Sequence, residues 1–314
     1  MILVTGGAGF IGSHTVRSLV EAGEECVLLQ RRTPEVPPQL ADLPVHVVQA
    51  DVGDLEAVLA VGRRFPITGI VHLAVALPWA TDGGDPVDAT STAIEAFLTI
   101  VRAAEAWKVP RVVTASTIGV YGFGGAGPLS EDDPISFRHV HAIPTFKKIA
   151  ELLALHLSDQ TDVQIVSARI SGTWGPGGHQ PDPFFAAPSL ALGAARGTTP
   201  DVSGLAAPPH RNDALDLLYV KDTGRALALL MRTPELRHPT YNVASGRATS
   251  NADVVEAIRT VVPDFAVDLP VGPDQPQQWL DTTRLREDTG FTPEYDTAAA
   301  AADYIAWLRA GNER

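Results

Sequence analysis

One cysteine, Cys26, in 314 residues excludes an intramolecular disulfide and any cysteine-built metal centre. Lysine is nearly as scarce, confined to Lys108, Lys147, Lys148 and Lys221, so each one invites a reason for being there. Basic residues are outnumbered by acidic ones, 24 to 37, and the net charge of −13 argues against nucleic acid or an anionic membrane as partner. No apolar stretch is long and uncharged enough to span a bilayer. Residue 2 already begins an apolar, strand-like run, so no signal segment is expected and the expected compartment is the cytoplasm. No His/Asp/Glu group has the ligand spacing of a metal site, and none is expected. Tyrosine is missing from the whole interval between Tyr121 and Tyr219.

What is present begins at the first turn. Val4-Thr5-Gly6-Gly7-Ala8-Gly9-Phe10-Ile11-Gly12 follows Ile2 and Leu3 and leads into a helical pattern, Val16, Leu19, Val20, that stops at Gly23. Strand, glycine turn and helix in that order form a dinucleotide-binding signature, whereas a bare glycine loop needs no such flanks. Gly6 and Gly9 allow a tight turn close to a pyrophosphate, Gly12 lets the helix press on the strand, and the helix N-terminus offers N–H groups to the anion.

Further strands are predicted at 25–29, 45–52, 70–74, 111–117 and 163–169, alternating with helical stretches, one of them from Thr92 to Trp107. Near-continuous apolar strands of this kind belong to a parallel sheet covered on both faces. The fold class is therefore α/β, a Rossmann-type doubly wound parallel sheet. Residues 172–213 are rich in Gly, Pro and Ala and lack periodicity, which predicts loops and a substrate-covering lobe. After them come a strand at 217–220, a helix from Thr223, a strand at 240–244, a helix N-capped by Asn251 and a C-terminal helix at 298–308. The expected division is 1–172 with 214–248 as the NADP-binding Rossmann domain, and 173–213 with 249–314 as a smaller substrate-binding lobe.

The second strand ends where such folds read the adenosine ribose. An acidic residue there would select NAD, but Gln30 stands there, followed by Arg31 and Arg32. A neutral amide and two guanidinium groups suit a 2′-phosphate, so the expected cofactor is NADP, taken up as NADPH. A solvated arginine pair is the alternative. Asp51 and Val52 close the third strand beside the adenine, and Leu73 and Ala74 close the fourth beside the cofactor.

Ala50-Asp51-Val52, His72-Leu73-Ala74, Ala115-Ser116-Thr117-Ile118-Gly119-Val120-Tyr121-Gly122, Gly175-Pro176-Gly177, Tyr219-Val220-Lys221-Asp222 and Tyr241-Asn242-Val243 follow the glycine motif in order. In this arrangement the chain resembles an extended short-chain dehydrogenase/reductase of the epimerase/dehydratase type over nearly its full length. The resemblance implies a nicotinamide cofactor and a catalytic Ser/Thr, Tyr and Lys. Thr117 matches the hydroxyl position and Lys147 the lysine, which also holds the cofactor ribose. The tyrosine should stand four residues before Lys147, on the same helical face. That residue is Ile143, so the usual general acid is absent.

Leu215 falls where the family's sugar-nucleotide enzymes carry an arginine for the substrate diphosphate, with Arg211 four residues away as an imperfect substitute, which speaks against a nucleotide-sugar epimerase or dehydratase. A tyrosine-less NADP-type reductase resembles the ketoreductases that tailor aromatic polyketides in actinomycetes, angucyclinone ketoreductases among them. The implied reaction is NADPH-dependent reduction of an aromatic ketone, assisted by the substrate itself, by a monomer or homodimer. A catalytically silent NADP-binding sensor or scaffold is the alternative outside enzymology. Trp79, Tyr121, His141 and Trp174 are the expected substrate-lining residues. His141 is also a candidate replacement acid, although it lies off the helical face of the missing tyrosine.

Overall fold

The computed structural model describes residues 1–74, 85–122, 125–138, 141–179 and 181–312. Strand β1 (Ile2–Thr5) passes through the glycine turn into α1 (Phe10–Glu21), followed by β2 (Cys26–Gln30), β3 (Val45–Gln49), α2 (Leu55–Arg64), β4 (Gly69–His72), α3 (Pro86–Trp107), β5 (Arg111–Thr117), α4 (Ala142–Gln160) and β6 (Gln164–Ile170). Then come β7 (Gly172–Trp174), α5 (Ala187–Arg196), β8 (Ala214–Tyr219), α6 (Val220–Arg232), β9 (Thr240–Val243), β10 (Ala248–Ser250), α7 (Asn251–Arg259), α8 (Thr283–Thr289) and α9 (Thr297–Arg309).

Seven strands form one sheet in the order β3-β2-β1-β4-β5-β6-β9, and every pairing within it is parallel. Both faces are covered, as the apolar strands require. On one face Val16 and Leu19 of α1 pack with Leu227 and Leu230 of α6. On the other, Val58 and Val61 of α2, Ile100 and Ala104 of α3 and Ala154 of α4 form a second core. The strand order reverses between β1 and β4, which opens a crevice at the C-terminal ends of those strands. A smaller sheet, β10-β8-β7, has its own core of Trp174, Leu190, Tyr219, Val254, Tyr304 and Ile305. No helix among the described residues is long and apolar enough to cross a membrane.

Local signals explain most of the boundaries and a few departures. Helix α3 starts at Pro86, six residues earlier than the periodicity indicates. The Asp85 carboxylate accepts the Val87 and Asp88 N–H groups at 2.7 and 3.3 Å, and proline at the first position needs no partner. Helix α7 is capped by Ser250, not Asn251: Ser250 and Asp253 form a capping box, while the Asn251 amide donates to the His210 carbonyl at 2.8 Å. Residues 172–213 hold β7 and α5 where loops are predicted, because small residues at buried positions (Ala187, Ala191, Gly193, Ala194) hide the helical period. Strand β8 begins at Ala214 and pairs with β7 and β10, and Val220 already belongs to α6.

Gly12 shows how the first turn is built. A Cβ there would fall 2.0 Å from the Gly6 carbonyl oxygen, so α1 rests directly on the backbone of the turn. Neither partner is a flexible side chain that could swing away. Gly12→Ala is expected to cost about 1–3 kcal/mol of stability through overpacking, read from urea denaturation, and to weaken dinucleotide binding in parallel. Unchanged stability and binding would show that the turn yields freely.

Candidate active site

The cofactor crevice is shaped by glycine and an uncapped helix. Gly6 has φ +70°, a conformation favoured by glycine, and a Cβ there would lie 2.8 Å from the Ala74 nitrogen at the end of β4. Thr5 Oγ1 accepts the Ala74 N–H at 3.2 Å, drawing the two strand ends together. Gly9 is the N-cap of α1 and supplies no side-chain cap, so the first-turn N–H groups of Phe10, Ile11 and Gly12 suit a pyrophosphate. These features fit a dinucleotide.

Around the adenosine end, Gln30 closes β2 and its amide donates to the Glu35 carbonyl at 3.1 Å. Arg31 and Arg32 are exposed immediately beyond it, their carbonyls accepting from the Gln49 amide at 3.4 and 3.2 Å. Asp51 lies two residues beyond the end of β3, where its carboxylate accepts the Gly53 N–H at 2.9 Å. Val52, Leu73 and Ala74 are each partly exposed.

Thr117 closes β5 and Lys147 lies in the second turn of α4. Thr117 Oγ1 accepts the Gly119 N–H at 3.2 Å, which leaves the hydroxyl proton available to a substrate oxygen. Lys147 lines a cavity between α3, α4 and the sheet with His72, Ala74, Phe97, Thr114 and Phe146. Burial pulls the lysine down to about 8, against an opposing effect of Glu151. Burial also drives His72 to about 3, so its imidazole is neutral, and its Nδ1 bonds to Thr5 Oγ1 at 2.8 Å. Lys147 therefore carries its proton at neutral pH and loses it above about 8. Dinucleotide affinity is expected to be level below that pH and to fall above it. Fluorescence titrations across pH check this, and an affinity unchanged to pH values well above 8 would remove Lys147 from the cofactor site.

Ile143 occupies the first turn of α4, one helical turn before Lys147, and is partly buried. Pro144 beside it does not break the helix, since first-turn N–H groups need no helical partner. Its ring packs on Gly119, where a Cβ would meet Pro144 Cγ at 2.7 Å. This contact sets α4 against the turn that follows Thr117.

The expected substrate-lining residues fare unequally. Trp174 does not line the crevice: it is 2% exposed in the core of the smaller sheet, edge-on to Tyr219 and Tyr304. Being large and apolar, it serves that core. Tyr121 is near Thr117 and half-buried, but its hydroxyl is committed, donating to Asn242 Oδ1 and accepting from Arg169 Nη1, both at 2.8 Å. Burial pushes that phenol up to about 12, so it is no ready proton donor. His141 precedes α4 as its N-cap and stacks on Phe184 with ring centroids 5.6 Å apart. Trp79 lies outside the described residues. Leu215 joins Ile118, Tyr121, Leu129 and Leu280 in an apolar cluster, so no cation stands at that position. Among the described residues no cluster of His, Cys, Asp and Glu could hold a metal.

Sequence reading passed over the charged network beneath Thr117. Ser116 donates to Glu151, whose carboxylate receives Arg169, and Arg169 reaches Tyr121 and the Glu131 carbonyl. The available signal was the four-residue spacing of Lys147 and Glu151 on one helix.

Comparison with known proteins agrees with this geometry. The model of the NAD dependent epimerase/dehydratase family matches residues 2–244. The chain is similar to a low-salt glycan biosynthesis protein of Haloferax volcanii, 29% identical over 96% of this chain and 97% of that one. It is also similar to a UDP-glucose 4-epimerase of Lacticaseibacillus casei, 26% identical over 94% and 92% of the two chains. Among solved structures, dTDP-glucose 4,6-dehydratase of Bacillus anthracis in complex with NAD superposes with a TM-score of 0.80 at 20% identity, covering 98% and 96%.

Proposed function

The chain belongs to the NAD dependent epimerase/dehydratase family, and from that premise we propose that it is an NADPH-dependent reductase of a ketone on a flat aromatic substrate of the angucyclinone-like polyketide class. Residues 1–172 and 214–248 would bind the dinucleotide, and 173–213 with 249–314 the substrate. The observation that carries the reading is Ile143, an apolar side chain where a proton-transferring phenol belongs, with the nearby Tyr121 hydroxyl already engaged at both ends.

When bound, the cofactor supplies a hydride to the carbonyl carbon. Lys147 would hold the ribose, and its positive charge would stabilise the developing oxyanion. Thr117 donates a hydrogen bond to the same oxygen. The proton itself comes from a phenol beside the carbonyl of the substrate, which water later restores. Ile143 packs against the ring and excludes water. NADPH is preferred because Arg31 and Arg32 follow a non-acidic Gln30.

A second reading, a nucleotide-sugar epimerase or dehydratase, is the one that the family match, the relatives and the solved structures support better. Against it stand the missing tyrosine and the apolar cluster around Leu215. Purified protein given NADPH and a hydroxylated aryl ketone is expected to consume the cofactor and release the alcohol, and to leave UDP-glucose unchanged. Epimerised or dehydrated sugar without ketone turnover would overturn the ketone reading in favour of the second. Tight dinucleotide binding with no turnover of either would instead identify a binding protein.

A further inference from the structure

His14 lies in the second turn of α1, the helix whose first-turn N–H groups suit a pyrophosphate. Its Nε2 meets the Pro176 carbonyl oxygen at 3.0 Å, across 162 positions of the chain. A carbonyl can only accept, so Nε2 carries the hydrogen and donates it. Pro176 belongs to the turn 175–178 that follows β7. Gly178 of the same turn lies against the ring of Phe10, the first residue of α1, and a Cβ there would fall 3.2 Å from Phe10 Cζ. Two contacts thus bring the chain leaving the smaller sheet onto the first two turns of α1.

Neither contact is needed to hold α1 itself. Val16 and Leu19 already anchor it in the core. Gly224 of α6 sits so close that a Cβ there would fall 2.5 Å from the His14 carbonyl carbon, which fixes the His14 backbone. On the other side Trp174 is buried in the core of the smaller sheet. From that fixed point the turn closes on itself, the Gly178 N–H donating to the Gly175 carbonyl at 3.2 Å. Among the described residues, the bond from His14 is its one hydrogen bond to α1. Burial holds His14 below its ordinary range, so the imidazole donates as a neutral group.

We propose that His14 is a positioning residue that clasps the 175–178 turn onto the start of α1 and so slows the release of a dinucleotide bound there. This rests on the reading of the α1 N-terminus as the pyrophosphate site, and not on the identity of the ketone.

Three variants test it. His14→Leu removes the donor at similar volume, His14→Ala removes donor and bulk together, and His14→Gln keeps an uncharged N–H for the same carbonyl. Hydrogen exchange of the peptide spanning 175–178, read by mass spectrometry on the unliganded protein, reports the clasp itself. Exchange there is expected to quicken roughly 2–10-fold in His14→Leu and His14→Ala, the effect of one lost hydrogen bond. It should return towards the original rate in His14→Gln, with β1 and α6 as protected as before. Dissociation of NADPH and of NADH, followed by stopped-flow fluorescence, is expected to quicken by a similar factor with the same rescue. Following both cofactors separates the result from any role of Arg31 and Arg32. Unchanged exchange in a folded His14→Leu or His14→Ala would overturn the proposal, and so would faster exchange with dissociation unchanged. Protection lost throughout the molecule, with no rescue by His14→Gln, would reduce His14 to a packing residue. Failure of the unaltered protein to bind either dinucleotide would overturn the proposal together with the pyrophosphate reading.

Discussion

Alanine at both Arg31 and Arg32 is expected to weaken NADPH binding by roughly 10²-fold and to leave NADH binding within a few-fold. Charge-assisted hydrogen bonds contribute about 1.5–3 kcal/mol each, which for two arginines would reach about 10²–10⁴-fold. Both guanidinium groups are exposed, so solvent and salt screen them and the low end applies. The two positions are prepared for the task by their backbone. Gln49 bonds both carbonyls, and the neutral Gln30 amide at the end of β2 donates to the Glu35 main-chain carbonyl. NADPH affinity should also fall with ionic strength more steeply than NADH affinity. Calorimetric titration of both cofactors decides the matter. An equal loss for the two, or tighter NADH in the unaltered protein, would make the arginine pair a solvated surface feature and point to NAD, the cofactor named for the Bacillus anthracis dehydratase.

The dinucleotide half of the molecule was legible because its signals are local. A glycine that must adopt φ +70° and another with a carbonyl 2.0 Å from its absent Cβ leave their mark in the sequence directly. Parallel strands buried on both faces announce themselves as apolar runs. The lobe was less legible. Helix α5 buries alanine, glycine and proline, which carry no periodic contrast, and the β7–β8 pairing joins residues more than forty positions apart. Trp174 was misplaced for a related reason, since a tryptophan in a Gly-Pro-rich stretch looks the same whether it faces a crevice or a private core. The substitution of Ile143 for tyrosine followed from the family resemblance, which places the tyrosine four residues before Lys147. The network that takes up Tyr121, and so removes the obvious substitute acid, was not, because Glu151, Arg169 and Asn242 meet only in three dimensions.

Methylating the phenol beside the target carbonyl is expected to slow reduction by roughly 10²–10⁴-fold, the range that a positioned proton donor contributes. Addition of hydride leaves charge on the carbonyl oxygen, and that charge must be met during the step. Ile143 has no proton to give, and Tyr121 is held by Arg169 and Asn242 with its phenol pushed up to about 12. Thr117 can donate a hydrogen bond, but an alcohol is too weak an acid to surrender its proton alone. In the proposed role Lys147 would contribute a charge and a hold on the ribose. His141, stacked on Phe184 at the start of α4, lies six residues from Lys147 and off the face that Ile143 occupies. On the proposed reading the donor is the neighbouring phenol of the substrate, whose internal hydrogen bond would also polarise the ketone before reaction. Binding of the ether should be close to that of the phenol, since one methyl group adds little to a flat apolar ligand, so the loss belongs in kcat. The decisive measurement is single-turnover reduction by NADPH of two ketones differing only in that methyl group. A collapse of the rate with the ether, at similar affinity, is the expected result. Equal rates would contradict substrate assistance and place the proton donor within the protein.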